Sequence, residues 1–361
     1  MTDRAAIRAE AERLLGLFQE AGAVPVDTRV LQPAEVLLDL YGEDIRARAY
    51  ITSDALRGEQ MLRPDFTVPV VQMHMAHGAE PACYTYAGEV FRRQEDDPDR
   101  ANEYFQAGFE IFDRAAPEAA DARVFSVIYG MLQPCGLHAA TGDIGILMAA
   151  VEGLRTTERR KRALRRHIWR PKRFHDLLER FSGAKPMPES RAALLTQADP
   201  LDGAAPQIGL RSRAEIEARI AALHEDAAAP PISSEEVALL DAVTGVRDSA
   251  DRALRHLQGI AADMPSIAAA VARLDRRLAA LEAAGIATGG LDFEGSYGRT
   301  QMEYYDGFVF GFYAEGRADM PPVATGGRYD ALTRQLGAGR EIPAVGGVIR
   351  PGLLVELGGG A

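Results

Sequence analysis

Two strand-like segments joined by a polar loop, at residues 83–113, constrain the fold of this chain most strongly. The first segment, Tyr84 to Arg92, is rich in the aromatic and β-branched residues that favour strands. The second, Glu103 to Asp113, has the two-residue alternation that sends successive side chains to opposite faces of a sheet. Gln106 and Glu110 therefore share one face, with their Cα atoms about 14 Å apart.

This pair of polar side chains is a candidate ligand site. A carboxylate and an amide on one sheet face, beside a strand that ends in Arg92, can hold a small zwitterion. Gly108 lies between Gln106 and Glu110 and leaves room above the sheet. The alternative is a half-exposed hairpin whose polar face meets only water.

The same two segments resemble motif 2 of the class II aminoacyl-tRNA synthetases, in the version found in histidyl enzymes. The matching runs are Tyr-Ala-Gly-Glu-Val-Phe-Arg at 86–92 and Gln-Ala-Gly-Phe-Glu at 106–110. Departures described below make the chain more similar to the ATP phosphoribosyltransferase regulatory subunits. These are synthetase-like paralogues that serve histidine biosynthesis. The resemblance extends from the first helix to about residue 357 and is interrupted by a helical region.

The run Leu-Arg-Pro-Asp-x-Thr at 62–67 resembles the amino-acid-binding signature of histidyl-tRNA synthetases. In that family the acid and the threonine hold the α-amino group of the substrate. An ammonium group needs a fixed anion and a nearby acceptor, which Asp65 and Thr67 supply. The alternative is a strand-to-helix turn in which Asp65 bonds to the local backbone.

The resemblance implies a complete histidine pocket. Asp65 and Thr67 would bind the α-amino group. Glu110 and Tyr305 would read the imidazole, and Gln106 and Arg92 would lie near the carboxylate. Tyr304 and Tyr305 match a family Tyr-Tyr pair that closes over the imidazole. The predicted histidine-binding residues are Asp65, Thr67, Arg92, Gln106, Glu110, Tyr304 and Tyr305.

A Gly-Gly-Arg-Tyr-Asp run at 326–330 also matches the histidyl family and is interpreted as a wall of the pocket. The segment 324–332, which contains this run, is predicted to lead from a glycine-rich turn into a helix. Backbone amides at such a helix start can hold a carboxylate or a phosphate. The alternative is a plain tight turn.

The residues that handle ATP in the active synthetases do not match. Those enzymes carry Arg-Gly-Leu-Asp-Tyr-Tyr, whose arginine neutralises the α-phosphate, and the aligned run here begins with Thr300. Arg299 is adjacent, but on a strand it would point to the opposite face. In motif 3, Leu353 stands where an arginine grips ATP, and Arg350 lies at the wrong offset to replace it. Phosphoryl chemistry depends on such positioned cations.

The loop at 93–102 differs in charge from its counterpart in the synthetases, which is more basic and meets ATP and the tRNA acceptor end. An acidic loop repels both ligands. Its acidic residues are Glu95, Asp96, Asp97 and Asp99. A retained amino-acid pocket with dismantled ATP chemistry indicates a histidine sensor with no catalytic residues of its own.

The resemblance implies an α+β fold, with a class II synthetase-like antiparallel sheet flanked by helices. Predicted strands include 139–144 and 304–313, with Phe308, Phe310 and Phe312 on one face of the second. We predict a single domain over 1–361, with a core at about 1–181 and 286–361. A helical insertion is expected at about 182–285, and no anticodon-binding domain is expected.

Composition bounds the remaining possibilities. The formal net charge of −11 argues against nucleic-acid binding through the whole surface. The two cysteines, Cys83 and Cys135, show no metal-ligand or redox spacing, so a reduced compartment and free thiols are expected. No metal site and no cofactor are predicted. No apolar run approaches the length that spans a membrane. The charged N-terminus does not look like a secretory signal, so a cytoplasmic protein is expected.

One local departure from the acidic composition is the segment 155–180, which has eleven Arg or Lys and three Asp or Glu. It also contains Trp169, the single tryptophan. A basic run with an aromatic residue can contact a phosphate-bearing partner or an acidic protein face. The alternative is a solvated helical face.

These observations together favour a non-catalytic regulatory subunit of ATP phosphoribosyltransferase. The family resemblance implies that such a chain activates a short catalytic subunit and mediates histidine feedback inhibition in the first step of histidine biosynthesis. It also implies a homodimer within a larger hetero-oligomer, with L-histidine as the effector. One alternative is a stand-alone synthetase paralogue that forms an aminoacyl adenylate. Another is an RNA-binding module that works through 155–180.

Overall fold

The computed structural model of the protein describes residues 3–41, 45–94, 100–202, 204–205, 208–299 and 304–358. The strands are β1 (Val24–Pro25), β2 (Leu31–Pro33), β3 (Ile51–Asp54), β4 (Gly58–Leu62), β5 (Ala82–Phe91), β6 (Glu103–Phe112), β7 (His138–Asp143), β8 (Arg247–Ser249), β9 (Asp292–Glu294), β10 (Phe308–Tyr313), β11 (Ala324–Arg328) and β12 (Ala344–Ile349).

The helices are α1 (Arg4–Glu20), α2 (Ala34–Tyr41), α3 (Ile45–Arg48), α4 (Thr67–His77), α5 (Pro117–Leu132), α6 (Ile144–Glu152), α7 (Glu158–Arg166), α8 (Pro171–Ser182), α9 (Glu189–Thr196), α10 (Arg213–Ala228), α11 (Ser234–Gly245), α12 (Ala250–Asp263), α13 (Ala268–Ala283), α14 (Asp330–Leu336) and α15 (Pro351–Glu356). Short 3-10 helices lie at Gln133–Cys135, Pro265–Ile267 and Thr288–Gly290.

A nine-stranded sheet forms the centre of the fold, in the order β1-β5-β6-β12-β11-β10-β7-β9-β8. Its strands pair antiparallel except for β1 with β5 and β7 with β9. A smaller sheet has the order β2-β4-β3. The predicted α+β fold, an antiparallel sheet flanked by helices, is therefore confirmed.

The alternation in β6 separates an apolar face of the sheet from a polar one. Phe109 points toward α1, where its ring stacks on Phe18 with the centroids 5.3 Å apart. Glu110 points to the opposite face and is 1% exposed. Both faces of this central strand are buried, so the hairpin β5–β6 is not the half-exposed one considered as the alternative.

Helix α5 covers the apolar face of the sheet near its middle. The ring of Phe125 contacts three phenylalanines of β10, at centroid distances between 5.4 and 6.2 Å. These are Phe308, Phe310 and Phe312. The prediction that the three share one face of their strand is confirmed.

Two predictions about the last third of the chain are wrong in their boundaries. Strand β10 begins at Phe308, so Tyr304 and Tyr305 precede it. The chain bends there because the carboxylate of Asp306 accepts hydrogen bonds from the amides of α14. The predicted glycine-rich turn at 324–328 is strand β11, because its glycines lie under aromatic rings of neighbouring segments.

The helix α13 is joined to the sheet by buried ion pairs. Arg277 Nε donates to Asp121 of α5 at 2.9 Å, and its Nη2 donates to Asp143 at the end of β7 at 2.8 Å. Arg328 of β11 donates to the same Asp121 at 2.7 Å. These charges connect four elements that are distant in sequence. The division into a core and an insertion at about 182–285 stays a prediction.

Within the part of the chain that the structure describes, no helix combines the length and the hydropathy needed to cross a membrane.

Candidate functional site

Glycines make room for polar side chains on the face of the sheet opposite α1. A Cβ atom at Gly346 would lie 1.5 Å from Oε2 of Glu110, because that carboxyl group crosses from β6 onto its partner strand β12. A Cβ atom at Gly108 would lie 2.3 Å from the ring of Tyr86. The space predicted above Gly108 is thus filled by a tyrosine. Any side chain at either glycine would displace the group above it.

Glu110 is the centre of the site. Its Oε1 accepts hydrogen bonds from the hydroxyls of Thr67 at 3.0 Å and Tyr86 at 2.8 Å, and its Oε2 accepts one from Tyr329. Burial raises the pKa of Glu110 to about 7, although the three hydroxyl donors act in the opposite direction and Asp65 raises it further. The carboxyl group therefore changes its charge near neutral pH.

Asp65 lies just before α4, and its side chain contacts both the local backbone and Arg92. Its Oδ1 accepts the backbone N–H of Val68 at 3.3 Å, as expected for a strand-to-helix turn. Its Oδ2 also lies 3.7 Å from Nη2 of Arg92. Burial raises the pKa of Asp65, and the charge of Arg92 opposes that rise.

Two of the predicted site residues make contacts that differ from the expected ones. Thr67 was expected beside Asp65, but its hydroxyl donates to Glu110. Arg92 was expected with Gln106, but its Nε donates to the carbonyl of Pro64 at 2.7 Å, on the Asp65 side. Their proposed roles toward a ligand remain predictions.

Gln106 offers an unused acceptor. The residue is 2% exposed, and its Oε1 is buried without a hydrogen-bond donor from the described residues. A buried acceptor without a donor costs about 1–3 kcal/mol. A ligand N–H or an ordered water near this face would remove that cost.

Three tyrosines form an aromatic wall over the site. The rings of Tyr304 and Tyr305 meet edge to face with centroids 4.9 Å apart, and Tyr304 meets Tyr329 at 6.0 Å. The Tyr305 ring lies against β11, where a Cβ atom at Gly327 would be 2.8 Å from it. Burial raises the pKa of Tyr305, so its phenol stays neutral at physiological pH.

Arg350 is a second cation on this side of the molecule. It hydrogen-bonds Tyr104, lies near Arg92 and Tyr305, and donates to the carbonyl of Pro322. Burial lowers the pKa of Arg350, with further lowering by Arg92. In the sequence, Arg350 stands out only as a displaced counterpart of the arginine that grips ATP.

Tyr86 and Tyr329 donate to Glu110, and neither contact was predicted from the sequence. Tyr86 lies opposite Gly108 in the antiparallel pairing of β5 with β6. That register, once known, would have indicated a large ring packed over a glycine. Tyr329 belongs to the quoted Gly-Gly-Arg-Tyr-Asp run, but no sequence pattern links it to β6.

The residues at or beside the positions that bind ATP in the synthetases do not form a cationic site among the described residues. Arg299 donates to the carbonyl of Ile168 at 2.8 Å and lies 4.8 Å from the ring centroid of Phe174, so it is engaged inside the fold. Leu353 is half-buried in α15. Thr300 and the acidic residues of the loop, Glu95, Asp96, Asp97 and Asp99, lie outside the described residues.

The predicted anion site at the start of α14 is filled from within the chain. The two carboxylate oxygens of Asp306 accept the backbone amides of Asp330 at 3.0 Å and Ala331 at 2.5 Å. The run at 324–332 therefore contributes Tyr329 to the site through its side chain and does not offer free amides there. Among the described residues, no group of three or more His, Cys, Asp or Glu side chains is placed to hold a metal ion.

Comparisons with known proteins agree on one family. Residues 2–219 and 210–351 match the histidyl-tRNA synthetase family. An ATP phosphoribosyltransferase regulatory subunit from Brucella anthropi is 32% identical over 342 residues, which cover 89% of each chain. The protein of the same name from Brucella ovis is 31% identical over the same share.

Solved structures show the same fold. A protein from Bacillus halodurans, described as an ATP phosphoribosyltransferase regulatory subunit/histidyl-tRNA synthetase, matches with a TM-score of 0.69 and 20% identity. The match covers 98% of this chain and 79% of that one. The histidyl-tRNA synthetase from Nostoc matches with a TM-score of 0.65 and 17% identity, over 99% and 72% of the two chains.

Proposed function

The chain belongs to the ATP phosphoribosyltransferase regulatory subunits, which share the class II fold of histidyl-tRNA synthetase, and on this premise we propose how it regulates. It activates a short catalytic subunit and transmits inhibition by L-histidine, without catalysing a reaction itself. It acts in the cytoplasm as a homodimer within a larger hetero-oligomer. The observation that carries the proposal is the buried, tyrosine-held Glu110 beside Asp65 and two arginines.

The charges of the site suit a free amino acid. Histidine carries an ammonium, a carboxylate and an imidazole, and the site contains two carboxyl groups, two guanidinium groups and the Gln106 amide, which can donate through its NH2 group and accept through Oε1. We assign the ammonium to Asp65 and Thr67, and the imidazole to Glu110 and Tyr305. Arg92 and Gln106 would lie near the ligand carboxylate, with Tyr304 closing the wall.

Arg350 supports the carboxylate end of this assignment. It lies near both Arg92 and Tyr305, so the two guanidinium groups face the same region. Like charges held close together in a buried site repel each other, and a carboxylate between them would reduce that repulsion. Arginine also suits this role because its planar group can donate two parallel hydrogen bonds.

The absence of catalysis is proposed from the residues that replace the ATP ligands. Thr300 and Leu353 provide no positive charge for a phosphate group. The neighbouring Arg299 donates to Ile168, so using it on ATP would break a buried contact. A histidine signal then requires only that histidine bind the less active assembly more tightly than the active one.

The first test measures phosphoribosyl transfer by a short-form catalytic subunit, with and without this chain. We expect a gain in rate of about tenfold or more, followed by loss of that gain when histidine is added. The matched control is the catalytic subunit with histidine alone, which should not change. An unchanged rate with both proteins folded would contradict the proposal and favour the adenylate-forming alternative. Histidine-dependent exchange of ATP with pyrophosphate would then be measured.

A second prediction concerns pH. Because burial raises the pKa of Glu110 to about 7, its carboxyl group is mostly protonated at pH 6 and mostly ionised at pH 8. A ligand N–H bonds better to the ionised group, so histidine affinity should fall about tenfold from pH 8 to pH 6. Calorimetric titration at several pH values measures this.

The imidazole of free histidine also titrates in this range, with a pKa near ~6.5. The variant Glu110→Gln separates the two effects, because it keeps the ligand's titration and removes that of the protein. We expect the pH dependence of the variant to differ from that of the wild type near pH 7. Identical pH profiles would exclude Glu110 as the titrating group.

A further inference from the structure

A cavity far in sequence from the Glu110 site lies among α7, α8, α9 and α10. It has a volume of about 410 Å³. Eight arginines line it, together with one histidine and one acidic residue. The charged lining consists of Arg159, Arg160, Arg162, Arg166, His167, Arg173, Arg180, Arg191, Arg219 and Asp226. We call it the arginine cleft.

The acidic residues at the arginine cleft are already used. Asp226 accepts from Arg160 Nε at 2.6 Å, and Arg160 also donates to the carbonyls of Asp226 and Pro230. Glu225 lies 3.3 Å from Arg159. These contacts hold two arginines in place as part of the fold. Among the described residues that line the cleft, no further acidic side chain is available to the other arginines.

Five further arginines of the cleft form no side-chain hydrogen bond or ion pair with a described residue. They come from all four helices of the cleft, so the fold brings together charges that are up to 57 positions apart in the chain (Arg162 to Arg219). The five are Arg162, Arg166, Arg173, Arg191 and Arg219. In a solvated helical face such side chains would diverge into water, whereas here they line one concavity.

Two polar groups inside the cleft are buried and unpaired. Nε of Arg180 and Nδ1 of His167 have no hydrogen-bond partner among the described residues. The Arg180 guanidinium is packed on the Phe181 ring, 4.8 Å from its centroid. Burial lowers the pKa of both groups, and neighbouring arginines lower them further. The cleft therefore concentrates positive charge around two buried polar groups, with Asp226 as the one acidic side chain among the described residues that line it.

We propose that the arginine cleft binds a small, multiply phosphorylated metabolite of about nucleotide size. The planar guanidinium group binds phosphate oxygens in pairs, and several arginines together bind more than one phosphate. A volume of about 410 Å³ lies within the usual range for small-molecule sites, roughly 300–1,000 Å³. This proposal does not depend on the histidine site.

The shape of the cleft favours a small ligand over a nucleic acid. A nucleic-acid backbone needs a row of cations along a groove, because its charges are spread along a strand. Here the cations converge on one concavity, and the chain carries a net charge of −11 that repels a long polyanion.

The test is calorimetric titration of the full chain with inorganic pyrophosphate, ADP, ATP and adenosine in dilute salt. We expect the three phosphate compounds to bind and adenosine not to bind. Binding should weaken as salt is raised, because the contacts are charged and partly exposed. Pyrophosphate binding alone identifies a site for the phosphate groups, and tighter binding of ADP or ATP identifies a nucleotide.

Two double variants locate the site. Arg166→Gln with Arg173→Gln removes two exposed arginines that pair with no described residue, so the fold should persist. Arg252→Gln with Arg255→Gln removes the same charge from the exposed face of α12 and is the matched control. We expect affinity to fall about 30-fold or more in the first and by less than about twofold in the second.

Melting temperatures give an independent readout. Pyrophosphate should raise the melting temperature of the wild type and of the control variant, but not that of the cleft variant. Three outcomes would overturn the proposal. They are no binding of any phosphate compound at millimolar concentration, an equal loss of affinity in both double variants, and binding of a single-stranded RNA when pyrophosphate does not bind.

Discussion

Replacing Glu110 by glutamine should weaken histidine binding by about 30-fold or more and should remove histidine inhibition of the assembled enzyme. Glutamine has nearly the same shape but no charge, so the ligand loses a charge-assisted hydrogen bond in a buried site. Such a loss costs about 2–5 kcal/mol. The amide would also present an N–H group to hydroxyls that now donate to the carboxyl oxygens, from Thr67, Tyr86 and Tyr329.

Glu103→Gln is the matched control for this variant. Glu103 lies on the same strand, β6, but its side chain is 42% exposed and pairs with Arg4 at the surface. The same chemical change there should leave histidine affinity within about twofold, since exposed ion pairs contribute about 0–1 kcal/mol. Calorimetry gives the affinity, and the phosphoribosyl-transfer assay gives the inhibition. Unchanged histidine inhibition of Glu110→Gln would refute the proposed pocket, even if activation were intact.

Replacing Arg277 by methionine should lower the free energy of unfolding by about 3–5 kcal/mol. Arg277 has a side chain that is 2% exposed and binds two carboxylates, those of Asp121 and Asp143. Its guanidinium also lies 4.5 Å from the ring centroid of Phe308. Methionine fills part of the volume but leaves Asp143 without its buried cation. Asp121 keeps Arg328 at 2.7 Å, so the loss falls mainly on Asp143.

Arg276→Met is the control, on the same helix and one residue away. Arg276 pairs with Glu118 at 2.7 Å, but its side chain is 58% exposed. The same substitution there should cost about 1 kcal/mol or less. Urea unfolding measures both variants. Equal stabilities would mean that the buried network does not hold α13 against the sheet.

Much of the fold followed from local patterns in the chain. The alternation in β6 predicted that neighbouring side chains lie on opposite faces of the sheet, and the structure places Phe109 and Glu110 accordingly. The phenylalanines of β10, at alternate positions, likewise lie on one face of their strand. A period of two is a local property, so it can be predicted without knowledge of neighbouring strands.

Boundaries that depend on distant partners were not predictable in this way. The segment at 324–328 is rich in glycine, which favours turns in isolation. It is a strand because its backbone pairs with β10 on one side and β12 on the other, and rings from other segments cover its glycines, such as Tyr305 over Gly327. The predicted start of β10 at Tyr304 was wrong for a related reason. Strand β10 begins at Phe308, because the Asp306 carboxylate accepts a hydrogen bond from the first backbone amide of α14.

The sequence by itself determined the family of the chain, the alternation of its central strands and the identity of the candidate pocket residues. Tertiary structure alone decided the surroundings of those residues. Glu110 has three hydroxyl partners because β5, β6, α4 and the end of β11 meet there, and burial at that junction raises its pKa. The arginine cleft has the same origin. The sequence determines how many arginines the segment carries. How the helices pack determines that these side chains converge on one cavity and that some of them are buried away from water.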